Sequence, residues 1–172
     1  MRENTTIDKL EAADARPNAM SLEDSRLLAG LIRKERIAHL ATLRDGVPMA
    51  SMTLYLPAPD FSAFYVHVSR LAWHTQDMQR DGHVALSIAE TDDRRADPFR
   101  LMRVSIRGAA SLFSDMDSRV KDAYLAKYPE QAINFTLADF SFWRIEPKDA
   151  RFIAGFGRIS NVSAEELKRA AG

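Results

Sequence analysis

"YVHVSRLAWHTQDM", residues 65–78, begins as a strand and ends as a helix. Tyr65, Val66 and Val68 favour extended backbone. After Ser69 the spacing loosens to a helical one, with Leu71, Thr75 and Met78 on one side. Ser69, Arg70, His74 and Thr75 crowd the changeover with hydrogen-bond donors. The plainer reading is a turn in which Ser69 caps a helix and Arg70 is solvated. The sharper one is an anion seat, since a helix N-terminus offers unpaired N–H groups and the positive end of a dipole.

Outward from that stretch the chain alternates short extended runs with few helices. "SLEDSRLLAGLIRKE" (21–35) opens on Ser21-x-x-Asp24, close to a capping box, and carries Leu27, Leu28, Leu31 and Ile32 as one apolar stripe. "IAHLATLRDGVPMASMTLYLP" (37–57) reads as a hairpin around Asp45-Gly46, a pair suited to the positive φ values of a type I′ turn. A third strand (62–69), a short helix (71–80) and a fourth strand (83–90) follow, then a polar loop (91–99). "LMRVSIRGAASLF" (101–113) is a fifth strand with Gly108 as a bulge or bend. Residues 114–129 form a helix opened by Ser114-x-x-Asp117. Residues 137–147 make a sixth strand, and 150–160 a strand running into a turn. Most strands neighbour their sequence successors, which predicts an α+β fold: a small antiparallel barrel of six or seven strands with helices in its gaps. The organisation expected is a flexible lead-in at 1–20, one domain at 21–160 and a short helix or tail at 161–172.

Composition limits the chemistry. The 172 residues suffice for one domain with a core, and 24 basic against 24 acidic residues give zero formal charge. That balance argues against a nucleic-acid partner held by a general basic surface. Without cysteine there is no disulfide, thiolate site or cysteine nucleophile. No run is long and apolar enough for a membrane helix, and the N-terminus lacks the apolar core of a signal peptide, so the expected location is cytoplasmic. The histidines, His39, His67, His74 and His83, form no H-x-x-x-H pair. "GFG" at 155–157 lacks the strand–turn–helix setting of a dinucleotide fingerprint. Arg103 shares a face with Ser105 and Arg107, either as a solvated stripe or as a second arginine for an anion. Trp143, in "FSFWRIEP", suits a strand core or a cofactor contact.

The order of these pieces resembles the FMN-binding split-barrel proteins related to pyridoxamine 5′-phosphate oxidase, and more closely the branch containing the haem-utilisation proteins of HugZ type. The matching stretches are "IAHLATLRDGVPMASMTLY", "FYVHVSRLAWHTQDMQRDGHVALSI", "DPFRLMRVSIRGAASLF", "AYLAKYP" and "FSFWRIEPKDARFIAGFGR", nearly all of 21–160. The resemblance implies a homodimer with FMN at each end of the interface, and as the leading expectation an oxidoreductase acting on an unidentified small molecule, the chemistry residing in the flavin. By the same resemblance, Ser51, Met52 and Thr53 line the ring. Ser69, Arg70, His74 and Thr75 approach the phosphate and ribityl chain, and Arg103 makes a further contact. Trp143 and Arg158, from the C-terminal part, reach the flavin of the second copy. The Arg-x-His signature of the true oxidase is missing from "ARFIAGFGRIS", so pyridoxamine phosphate oxidation is not expected. The HugZ-type haem ligand, a C-terminal histidine, is missing too: no histidine follows His83. A haem role then needs another ligand, with His39, His67 and His74 as candidates. A non-catalytic flavin binder and a deazaflavin F420 protein stay open beside these.

Overall fold

Asp45 and Gly46 take φ values of 54° and 80°, the left-handed pair that a two-residue I′ turn requires, and join β1 (Ile37–Arg44) to β2 (Val47–Leu54) in register from Ile37↔Leu54 to Arg44↔Val47. The computed structural model describes residues 20–114, 118–155 and 157–172. The expected lead-in, apart from Met20, lies outside them, as do Asp117 of the second Ser-x-x-Asp start and Phe156 of "GFG".

Helix α1 (Leu22–Lys34) starts where the sequence places it. Ser21 accepts the Asp24 N–H at 3.0 Å, and Leu28, Leu31 and Ile32 are buried against the sheet. After β2 come β3 (Leu56–Pro57), β4 (Phe64–Ser69), helix α2 (Trp73–Arg80), β5 (His83–Ala89) and β6 (Arg103–Leu112). Helix α3 (Ser118–Lys127) leads into a 3₁₀ segment (Pro129–Thr136), β7 (Phe140–Ile153), β8 (Ile159–Ser163) and α4 (Ala164–Ala170). The strands form one antiparallel sheet in the order β2-β1-β5-β6-β7-β4-β3, with β8 also on β7.

Two differences from the sequence expectation share a cause. Residues 137–147 and 150–160 are not two strands; 140–153 run on as β7 straight through Pro147. Proline is tolerated because it stands opposite Gly108, at the register shift after Arg107, where no ladder N–H is demanded. β7 pairs with β6 along one edge, while β4 takes the first half of its other edge and β8 the second. Strand β8 and helix α4 are therefore part of the fold, with Val162, Leu167 and Ala170 in the main core. With two-residue β3 the described strands number eight rather than six or seven.

The sheet curls without closing. Its ends, β2 and the β4–β3 pair, are not hydrogen-bonded to each other, and this gap is the split of the barrel. A second, aromatic core of Tyr124, Tyr128 and Phe142 fills one side of it, beneath α3 and the 3₁₀ segment. That side is pinned to the start of β1. The Tyr128 hydroxyl is shared between the carbonyls of Tyr55 at 2.7 Å and Arg36 at 2.9 Å, and Lys127 donates to the Glu35 carbonyl at 3.0 Å.

Candidate functional site

The split holds a cleft of about 520 Å³, large enough for an organic cofactor. Met52, Thr53 and Leu54 of β2 form one wall and His67, Val68 and Ser69 of β4 the facing one. Ala72 and His74 lie at the start of α2, while Glu130, Gln131 and Asn134 come from the 3₁₀ segment. Arg36 and Ile37 lead into β1, and Tyr124 and Phe140 complete the lining.

His67 stands in an aromatic cage. Its ring stacks on Phe135 at 4.1 Å and 10°, and lies 4.7 Å from Phe142, 5.4 Å from Phe140 and 5.8 Å from Tyr124 between centroids. Burial, helped by the Lys121 charge, pushes its pKa down to about 4. His74 is shifted the same way by burial, with Asp77 opposing. Both imidazoles are therefore neutral at pH 7. His67 Nδ1 and His74 Nε2 are buried without a hydrogen-bond partner. Such orphaned atoms are uncommon in folded proteins. His67 also sets a pH dependence. Its folded pKa lies below the unfolded value of 6.5, so the unfolded chain binds more protons between the two. Stability is thus full above pH 6.5 and falls as pH drops towards 4. Thermal melts at pH 7 and pH 5 should show a smaller drop for His67→Phe than for wild type. Equal drops would place the acid sensitivity elsewhere.

The changeover at 69–75 is built differently from the capped turn expected. Helix α2 starts at Trp73, with Ala72 as N-cap and no side-chain cap. Ser69 instead accepts the Leu71 N–H at 3.1 Å and donates its hydroxyl to the Asp139 carboxylate, while the Arg70 N–H goes to the Asp139 carbonyl at 2.8 Å. A carboxylate thus stands beside the residues expected to greet a phosphate, and the Ser69 proton is already committed. Arg70 is exposed. Thr75 is buried behind the turn with its hydroxyl unpartnered.

Of the residues singled out in the sequence, Met52, Thr53, Ser69 and His74 meet in the cleft. Ser51 is half-buried on β2 opposite Leu40. Arg103 lies at the far end of β7 from Ser69, opposite Ile153, and donates to the carbonyls of Phe99 and Leu101. Trp143 is in the core with its indole N–H unpartnered, and Arg158 forms ion pairs with Glu23 and Asp24 of α1. The lining residues missed from sequence are chiefly Arg36, Tyr124 and the polar group at 130–134. "PEQAINFT" has no periodicity to announce it, and only the pinning of Tyr128 brings it to the split.

Eight antiparallel strands curled round an open seam, with a cofactor-sized cleft in that seam, define a split barrel of the pyridoxamine-phosphate-oxidase-like and HugZ-like class. Within it, the chain belongs to the CREG β-barrel family, whose model matches residues 23–168. A chloroplastic haem oxygenase of Arabidopsis thaliana, HOZ, is 38% identical over 125 residues, which are 72% of this chain and 37% of that protein. The chain thus spans a little over a third of that relative's length. The haem oxygenase HutZ of Vibrio cholerae is 25% identical over 142 residues, 78% of this chain and 79% of HutZ. A haem-binding protein from Mycobacterium smegmatis shares the fold with a TM-score of 0.76 at 24% identity, over 90% of this chain and 62% of that one. Among the described residues, no helix is long and apolar enough to cross a membrane.

Proposed function

We propose that this chain binds haem in the split of its barrel and handles it as its haem-oxygenase relatives do. The observation that carries the reading is the pair of neutral histidines lining the cleft, each with a ring nitrogen that no protein group claims. Iron in a haem needs one such neutral imidazole, not a cage of several ligands. When bound, haem supplies the metal centre for redox chemistry, and the protein supplies position, polarity and access. His74 is the ligand we assign. The Asp77 charge lies close enough to favour proton uptake by the ring, which also makes it a better electron donor. His67, held in its aromatic cage, offers a flat wall for a ring face. Ile37 and Met52 line the cleft yet stay exposed, a lip suited to cover by a second copy, in keeping with a homodimer.

Titrating the purified chain with haemin should give an intense Soret band at one haem per chain. His74→Leu, which removes the ligand itself, should weaken binding by at least the roughly ten- to hundredfold that follows loss of a ligand's supporting partner, and shift the band, whereas His67→Leu leaves its position near that of wild type. A band that neither variant changes would overturn the assignment. FMN remains a second reading, because Met52, Thr53, Ser69 and His74 line one cleft as the flavin resemblance implies. Flavin uptake with a perturbed visible spectrum, and no saturable haemin binding, would put FMN in first place.

A further inference from the structure

We infer that Arg36 is the seat for the anionic arm of the planar cofactor in the cleft, and that Glu130 competes with that arm for the guanidinium. The inference rests on the reading that the cleft takes such a cofactor. Haem is the one we commit to, through a propionate; the phosphate of FMN offers the same anionic chemistry.

Among the described residues lining the cleft, Arg36 and Glu130 carry the full charges, since both histidines are neutral. The two are ion-paired with each other, and each side chain is about half exposed, at 54% and 50%. A pair in that setting adds little stability and exchanges partners readily. The arginine, by contrast, is well placed. Its backbone carbonyl accepts the Tyr128 hydroxyl at 2.9 Å, and its guanidinium lies 5.2 Å from the centre of the Tyr128 ring. The residue before it is tied twice, through the Glu35 N–H to Leu31 at 3.0 Å and the Glu35 carbonyl to Lys127. A planar fork on such a base matches a carboxylate or a phosphate with two parallel hydrogen bonds.

The opposite side of the cleft is unsuited to the same task. There Ser69 gives its proton to the Asp139 carboxylate, whose charge repels an anion. The cofactor is thus oriented with its anion towards Arg36 and its ring against His67 and His74, the reverse of an anchor at 69–75. Glu130 enters from the 3₁₀ segment, so release of its carboxylate couples anion entry to that wall of the cleft.

The test compares haemin with its dimethyl ester on the wild-type chain, Arg36→Gln and Glu130→Gln. Arg36→Gln keeps the aliphatic stem over Tyr128, and a thermal melt near that of wild type shows that it folds. We expect it to weaken haemin binding about tenfold and leave ester binding unchanged, the loss typical of one charge-assisted contact. Glu130→Gln should tighten haemin binding by up to about fivefold, the scale of an exposed ion pair. If Arg36→Gln weakens acid and ester alike, or neither, the seat is not there. If haemin does not bind but FMN binds better than riboflavin, and Arg36→Gln removes that preference, the haem reading fails and the anion seat stands. If neither cofactor binds, both fall together.

Discussion

Asp77→Ala should destabilise the chain by about 3 kcal/mol, at the lower end of the range for breaking a buried ion pair. Asp77 sits on α2 with no solvent exposure. One carboxylate oxygen takes the Thr42 hydroxyl at 2.9 Å and the other the Arg44 Nε–H at 2.8 Å, both from β1. Arg44 then reaches on to the Trp73 carbonyl at 3.1 Å and lies 4.3 Å from the centre of that indole ring. The network is the polar bolt between β1 and the helix carrying His74. Removing the carboxylate strands a buried hydroxyl and leaves the guanidinium without its anion. Arg44 keeps some access to water, which holds the loss near the lower figure. Asp77→Asn, which retains one acceptor, should lose roughly half as much. Urea unfolding followed by far-UV circular dichroism measures both. A loss below about 1 kcal/mol for the alanine variant would mean that α2 is held by its apolar contacts alone.

Alanine at two glycines should act with opposite signs. At Gly108 an added methyl would meet the Glu146 carbonyl oxygen at 2.3 Å and its carbon at 3.0 Å. Both belong to the backbone of β7, so relief requires the bulge itself to open. Gly108→Ala is expected to cost about 3 kcal/mol, the upper part of the range for overpacking. At Gly30, exposed on α1, nothing lies within 4 Å of the new methyl. There alanine should add about 0.5–1 kcal/mol, through helix propensity and a less free unfolded chain. Paired urea melts decide it. A tolerated alanine at 108 would show that the bulge slides, and with it the pairing of β7.

Much of the frame was legible because it rests on local rules. Ser21 with Asp24, the positive-φ pair at Asp45-Gly46 and the bulge at Gly108 each state their own geometry within a few residues. Neighbouring strands joined by short links then leave an antiparallel sheet as the simplest outcome. The run through Pro147 was not legible, because proline is admissible there only by virtue of its partner across the strands, Gly108, thirty-nine residues away in sequence. Strand β8 was hidden for a related reason: five residues with an uneven pattern become a strand only against the outer half of β7.

The candidate site divides along the same line. The sequence by itself determined that donors gather at 69–75, that no thiol chemistry is available, and that the chain builds a small antiparallel barrel; these follow from residue type and spacing, whereas the split of that barrel was implied by the family resemblance. It did not determine which donors are free. Asp139, seventy residues beyond Ser69, takes the serine proton. Arg158 is drawn to α1, and Arg103 turns to the carbonyls before its own strand. Tertiary structure alone brought Arg36 and Glu130 to one cleft with His67 and His74. A hydrogen bond or an ion pair is specified by proximity in space, and the sequence carries no distance between residues that the fold has yet to bring together.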